Sequence, residues 1–195
     1  KDGYANFFGP GVADGPFPEH YEPAETPLTS HPFSSQLSSP VYKYHVSDMD
    51  QIAPPGDPKY PYVLTTYSLT EHWCGGGETR NVPNLLETEP QLYVEMSHEL
   101  AKEKGINNGD GVILESPRGR VEAIAMVTIR IRPFTIMGKT VHLVGMPFAF
   151  GWTTPKCGDS TNRLTVGAYD PNTTIPESKA CCVTLRKADK LTEIG

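Results

Sequence analysis

The residues best suited to chemistry form one stretch, Thr65-Thr66-Tyr67-Ser68-Leu69-Thr70-Glu71-His72-Trp73-Cys74-Gly75-Gly76-Gly77-Glu78-Thr79-Arg80-Asn81, where β-favouring residues run into a polar, glycine-rich loop. Three successive glycines let backbone N–H groups approach an anion closely, and Thr66, Ser68, Thr70, His72, Thr79, Arg80 and Asn81 add side-chain partners. That combination suits a phosphate-bearing ligand. The loop is not a Walker A, since no Gly-Lys-Ser/Thr follows, and Gly75-x-Gly77 lacks the third glycine of a dinucleotide fingerprint because Arg80 stands there. As pattern alone, an ordinary glycine turn explains it equally well.

Other candidate chemistries are weaker. His98-Glu99-Leu100-Ala101-Lys102 begins like a helical zinc-protease motif, but Lys102 replaces the second histidine. No Gly-x-Ser-x-Gly elbow occurs, and Cys74 beside His72 is only a sequence neighbour, whereas a nucleophile needs a base placed in space. Glu71 and His72 at the mouth of the loop fit orientation of a ligand or of the backbone better than acid/base catalysis. Met146-Pro147-Phe148-Ala149-Phe150-Gly151-Trp152 reads either as the wall of a pocket for a flat ring or as core. Asn162 and Lys179 are polar positions beside apolar strands. Cys74, Cys157, Cys181 and Cys182 show no C-x-x-C and no histidine at finger spacing, so no metal-ligating set is expected. Cys181 and Cys182 read as buried thiols.

These residues must be positioned by a chain of 195 residues, enough for one domain with a real core. The net charge of −6 argues against a nucleic-acid protein, and no apolar run approaches the ~20 residues that span a bilayer. No membrane insertion is expected. The amino terminus is neither Met nor a charged-then-apolar signal, as in a processed chain or a piece of a longer polypeptide. Residues 1–61 hold eleven of the nineteen prolines, three lysines, no arginine and eight acids. Such a segment is an extended arm, ordered only by lying along another surface, with Tyr4, Phe7, Phe8, Phe17, Tyr21, Phe33, Tyr42 and Tyr44 to supply adhesion.

Residues 62–195 turn to short strands. Residues 63–67 are β-rich, and residues 92–96 alternate as a half-buried strand. Ser97 offers an N-cap, Glu99 sits in the first turn, and Gly105 ends a helix of about two turns. Residues 107–110 are turn chemistry, and residues 112–116, the Pro117-Arg118-Gly119 turn and residues 120–128 read as a hairpin. Residues 140–146 and 181–186 complete the set. Short strands, one or two small helices and long glycine-containing connections predict a mainly β fold, a closed or nearly closed barrel.

Thr65-Thr66-Tyr67-x-Leu69-Thr70-Glu71-His72-Trp73, followed by Gly75 to Asn81, then Gly105-Ile106-Asn107-Asn108-Gly109-Asp110 and Ser116-x-Arg118-Gly119, resembles the carboxy-terminal domain of formate dehydrogenase catalytic subunits, in the molybdopterin oxidoreductase family. Gly15-Pro16-Phe17-Pro18-Glu19-His20-Tyr21-Glu22-Pro23-Ala24-Glu25-Thr26-Pro27 resembles the segment before that domain. The resemblance implies a double-psi β-barrel, preceded by the proline-rich arm, that closes over a bis(molybdopterin guanine dinucleotide) cofactor carrying molybdenum or tungsten. It places Thr66, Tyr67, Ser68, Leu69, Thr70, Glu71, His72, Trp73, Thr79 and Arg80 around the cofactor, has Asn162 bond it and Lys179 meet its charge, and sets Phe148, Phe150 and Trp152 near the pterin or the substrate funnel. Many relatives carry arginine at the position of Ser68 and a second histidine at that of Cys74; Tyr67 fits the formate branch better than the nitrate branch.

The implied activity is reversible oxidation of formate to carbon dioxide, with electrons passing to [4Fe-4S] clusters. The metal ligand, the catalytic residues and the cluster cysteines lie in earlier domains, so no catalytic residue is expected here. The implied partners are the remaining domains of the catalytic subunit, an iron-sulfur electron-transfer subunit and formate, in the periplasm or alternatively the cytoplasm. The other readings are a nitrate, thiosulfate or polysulfide reductase subunit, or a non-catalytic double-psi barrel adaptor.

Overall fold

The alternation that starts at Tyr62 seeds the fold. In a computed structural model of the chain, which describes Ala13, residues 20–45, Ser47 and residues 51–151 and 158–191, strand β2 (Tyr62–Tyr67) buries Tyr62, Leu64 and Thr66 and leaves Val63, Thr65 and Tyr67 half-buried. Expectations placed on Tyr4, Phe7, Phe8, Phe17, residues 15–19, Trp152 and Cys157 lie outside the described residues. The other strands are β1 (Lys43–Tyr44), β3 (Tyr93–Met96), β4 (Gly111–Ser116), β5 (Gly119–Val127), β6 (Phe134–Ile136), β7 (Lys139–Val141), β8 (Leu143–Pro147), β9 (Ala168–Tyr169) and β10 (Cys181–Lys187). Two short helices are α1 (Pro83–Thr88) and α2 (His98–Lys104).

The expected barrel is present and closed, in the order β10-β2-β8-β3-β5-β4. Closure leaves the ring without an edge, and Leu64, Val94, Met96, Leu114, Val121, Val144, Met146 and Val183 fill its interior. Two neighbouring pairs are parallel, β2 with β8 and β3 with β5. Exchanging the first three barrel strands in chain order (β2, β3, β4) with the last three (β5, β8, β10) maps the ring onto itself, parallel pair onto parallel pair. This internal two-fold is the arrangement expected of a double-psi barrel.

Parallel neighbours end at the same rim. Residues 68–92, after β2, and residues 148–180, after β8, therefore leave the barrel side by side. Because β3 runs antiparallel to β8, β3 and β5 deliver α2 and residues 128–133 to the opposite rim.

Helix α2 forms where the sequence places it. The Ser97 hydroxyl accepts the Leu100 N–H at 3.1 Å, Glu99 stands in the first turn, and Gly105 closes the helix at φ 64. Leu100 and Ala101 are its buried face.

Two expectations are corrected. Residues 92–96 read as a half-buried strand, yet all four residues of β3 are buried. The chain after β5 folds back over the outer face of the barrel: Arg130 lies 3.4 Å from Glu95, and Ile131 and Tyr67 fill the space above Gly145. Residues 140–146 read as one strand, but the run divides at His142, whose carbonyl accepts the Val63 N–H at 3.0 Å. Before the break β7 pairs with β6, a strand the sequence did not suggest, and after it β8 enters the barrel. Met137 and Gly138 connect β6 to β7 with φ 50 and 77, the left-handed pair of a tight hairpin turn.

Residues 20–45 and 51–61 contain little regular structure and lie along the barrel, with Ala24, Leu28, Ala53 and Tyr60 buried and Phe33 exposed. Their attachment centres on Glu25. This carboxylate is fully enclosed and receives Arg118 through both Nη atoms, the Ala53 N–H at 2.8 Å and the Cys182 N–H at 2.8 Å. Arg118, at the tip of the β4–β5 hairpin, also donates to the carbonyls of Gln51 and Leu164.

Candidate functional site

At the rim shared by β2 and β8 lies a cleft of about 540 Å³, lined by residues 68–74 with Thr79, Leu85 and Phe148. Its wall is the loop that the sequence singled out.

That loop is held from beneath. His72 is 1% exposed, and its Nε2 lies 3.0 Å from the Glu89 carbonyl. A carbonyl only accepts, so in the neutral ring the proton sits on Nε2 and Nδ1 accepts from the Thr79 hydroxyl at 3.3 Å. The Thr79 oxygen accepts in turn from the Trp73 N–H at 3.0 Å, and the Phe150 ring meets His72 edge-on at 5.7 Å. Gly76, at φ 80, donates its N–H to the Trp73 carbonyl, and a Cβ there would lie 2.4 Å from the Ala149 carbonyl oxygen. Only glycine lets the two rim loops approach this closely.

Arg80 belongs to the same foundation. It is 1% exposed, donates to the Ala149 carbonyl at 3.1 Å and stacks its guanidinium 5.6 Å above the Phe150 ring. Asn81 donates to the Gly77 carbonyl at 2.8 Å.

The mouth of the cleft presents different chemistry. Ser68, Thr70 and Trp73 are exposed, Leu69 and Glu71 half-buried. Burial, and then the Glu71 carboxylate, push the Glu89 carboxyl above its ordinary range. Lys179 stands against the Phe148 wall, its Nζ 5.6 Å from that ring and donating to the Thr66 carbonyl at 2.9 Å. The buried Thr66 hydroxyl donates to the Ser178 carbonyl at 2.6 Å, so strand β2 and the approach to β10 are tied together here. Hydroxyls, an ammonium group, a carboxylate and apolar walls suit a ligand with both anionic oxygens and flat, N–H-bearing rings.

Ser68, Leu69, Thr70, Glu71, His72, Trp73 and Thr79 thus converge on the cleft, with Lys179 beside it. Arg80 and Phe150 form its buried base, and Thr66 reaches it only through backbone and hydroxyl ties. Tyr67 turns to the outer face of the barrel above Gly145, where burial, then Tyr93 and Glu95, push its phenol upward. Asn162 is exposed in the short turn Thr161–Arg163, which Thr161 fastens to the Pro147 carbonyl at 2.7 Å; it does not line the cleft. Sequence reasoning missed Leu85, which α1 brings in from an exposed-looking stretch, and the supporting carbonyl of Glu89. The Pro at the first helical position of α1 was the available signal.

Residues 62–182 match the family described as Molydopterin dinucleotide binding domain. Over its whole length the chain is 86% identical to 19% of "Formate dehydrogenase 2 subunit alpha (cytochrome c-553)" of Nitratidesulfovibrio vulgaris. Over 96% of its length it is 51% identical to 18% of "Formate dehydrogenase subunit alpha" of Megalodesulfovibrio gigas. The chain therefore spans about a fifth of the length of these curated relatives. Acetylene hydratase from Pelobacter acetylenicus shares the fold, with a TM-score of 0.52 over 68% of this chain and 20% of that one at 14% identity.

Proposed function

This chain belongs to the Molydopterin dinucleotide binding domain family, and from that premise we propose that its rim cleft holds a molybdopterin guanine dinucleotide of a formate dehydrogenase. The observation that carries the reading is the cleft itself: a loop anchored by buried His72 and Arg80 holds open hydroxyls and apolar walls at one rim, inside the matched segment.

The residues present fit such a group. Ser68 and Thr70 offer hydroxyl donors to phosphate or ring oxygens, Lys179 adds a positive charge, and Glu71 can accept from ring N–H groups. Leu69, Trp73, Leu85 and Phe148 give the flat parts a dry wall. Gly76 keeps the two loops in contact so that the wall does not collapse into the cleft. When bound, the group supplies the two-electron chemistry that interconverts formate and carbon dioxide, while the protein binds and orients it. This chain contributes no catalytic residue to that reading.

The full reading includes two such dinucleotides around molybdenum or tungsten, [4Fe-4S] clusters in the remaining domains, an iron-sulfur electron-transfer subunit as partner, and a periplasmic location. Its support is 86% and 51% identity to formate dehydrogenase alpha subunits across both arm and barrel. Among the described residues no helix is long and apolar enough to cross a membrane.

Metal analysis, release of the oxidised fluorescent pterin, and formate oxidation alongside nitrate reduction test the proposal on the complete polypeptide. Two guanine-dinucleotide pterins per molybdenum or tungsten, with activity on formate and none on nitrate, are the expected result. Folded material without pterin would overturn the cofactor assignment, and nitrate reduction would overturn the substrate.

A further inference from the structure

The arm brings together three side chains that lie outside the matched segment and do not line the cleft. His20, Glu22 and His31 each offer one ligand atom, and these atoms lie within 4.8 Å of one another. The chain doubles back here: the Glu22 N–H donates to the Leu37 carbonyl at 2.9 Å, and Glu22 forms a bridge with Ser38. The Thr26 hydroxyl donates to Glu22 Oε2 at 2.9 Å and orients the carboxylate.

His31 supplies the second observation. It is 7% exposed, its Nδ1 accepts the Phe33 N–H at 3.0 Å, and its Nε2 is buried without a hydrogen-bond partner. An imidazole whose Nδ1 accepts carries its proton on Nε2, and a buried donor without an acceptor is unfavourable. The His20 ring meets His31 at 5.2 Å and 65°, so a second imidazole borders the same space.

We propose that His20, Glu22 and His31 form a binding site for a divalent transition-metal cation, with zinc suited to the two-nitrogen, one-oxygen donor set and water completing the coordination. The cation takes the place of the unpartnered proton at His31 Nε2. The ring keeps one proton, now on Nδ1, and the Phe33 N–H that Nδ1 had accepted turns to solvent. That hydrogen bond is local, between residues two apart, and only part-buried, so the released N–H can reach water. The ion closes the turn between residues 20 and 31 and fastens the arm. No sequence pattern marks this set, because His20-x-Glu22 and a histidine nine residues on match no finger spacing. The inference does not depend on the cofactor reading.

The test is zinc titration of the complete polypeptide against a chromophoric chelator, comparing wild type with His20→Ala, His31→Ala, Glu22→Gln and the control His98→Ala, an exposed residue on α2. Wild type and His98→Ala should each take up one zinc that His20→Ala and His31→Ala bind at least about tenfold more weakly, with Glu22→Gln between them. Zinc should also protect residues 20–31 from proteolysis in wild type but not in His20→Ala. Should His31→Ala not fold, His20→Ala decides alone, since that side chain is exposed. Equal zinc uptake by wild type and His20→Ala, or no uptake by wild type beyond its resident metals, overturns the site.

Discussion

Glu25 with Arg118 and the loop of residues 68–81 are both dense in polar side chains, yet they have opposite relations to water. At the arm junction the Glu25 and Arg118 side chains are 0% and 6% exposed, and both Glu25 oxygens are engaged within the chain. At the rim the loop is layered: His72 and Arg80 are buried and engaged with carbonyls, while Ser68 and Thr70 face outward. Buried, saturated polar groups fix a conformation; exposed hydroxyls on a fixed backbone can exchange water for a ligand. Residue type does not separate the two uses, and burial does.

The largest effect expected from this contrast is at the junction. Glu25→Ala leaves the Arg118 guanidinium enclosed without its carboxylate and strips the Ala53 and Cys182 N–H groups of their acceptor. Breaking a buried pair of this kind costs about 3–5 kcal/mol. Urea unfolding of the complete polypeptide should show that loss in the transition that includes the barrel. A change below about 1 kcal/mol, the scale of an exposed pair, would place the junction with surface salt bridges.

Gly76→Val comes next and acts on the rim. A side chain at φ 80, with its Cβ 2.4 Å from the Ala149 carbonyl oxygen, forces the two loops apart at a strain of about 1–3 kcal/mol. Released pterin per polypeptide should fall well below wild type. Wild-type cofactor content would show that contact between residues 76 and 149 does not shape the cleft.

Part of this was legible in the sequence, and the difference is one of range. Ser97, Glu99 and Gly105 specify α2 through capping that acts within a few residues. The pattern of Gly75 to Gly77 marked the loop as a candidate binding element but fitted an ordinary turn equally well, because the glycines alone do not record which rim loop they meet. Glu25 and Arg118 were not linked, since their partnership spans 93 positions and no local pattern records it. Arg80 reads as an anion ligand beside those glycines, but the fold buries it against Phe150, and burial is set by the distant strand β8 and the loop that follows it. The division at His142 was hidden for the same reason: residues 140–146 read as one β-favouring run, and only the distant partners, β6 for β7 and β2 with β3 for β8, separate its halves.

A smaller effect distinguishes burial that is saturated from burial that is only tolerated. Burial pushes the Glu177 carboxyl up, against the Ala24 N–H and the Tyr42 side chain, which hold it down. A carboxyl raised in the folded state adds stability below its unfolded value near 4.5, and that contribution is lost as the pH rises through the raised value. Glu177→Gln cannot ionise, so its stability relative to wild type should improve between pH 4 and pH 7. Urea midpoints at the two pH values test this, and a difference that does not change with pH would mean the carboxylate is as well served there as in water.

The smallest stability effect belongs to the residues with the largest proposed role in binding. Ser68→Ala with Thr70→Ala removes two exposed hydroxyls that make no hydrogen bond with the described residues, so unfolding should move by no more than about 0.5 kcal/mol. If those hydroxyls meet charged ligand oxygens, each lost bond is worth about 1.5–3 kcal/mol, and the rate of pterin loss from the complete polypeptide should rise about tenfold or more. This variant separates function from folding more cleanly than Gly76→Val, because nothing beneath the loop has moved: His72 still bridges Glu89 and Thr79, and Arg80 still supports Ala149. Unchanged stability with unchanged pterin loss would mean that the Ser68 and Thr70 hydroxyls are merely solvated and that the ligand is held by the other groups of the cleft.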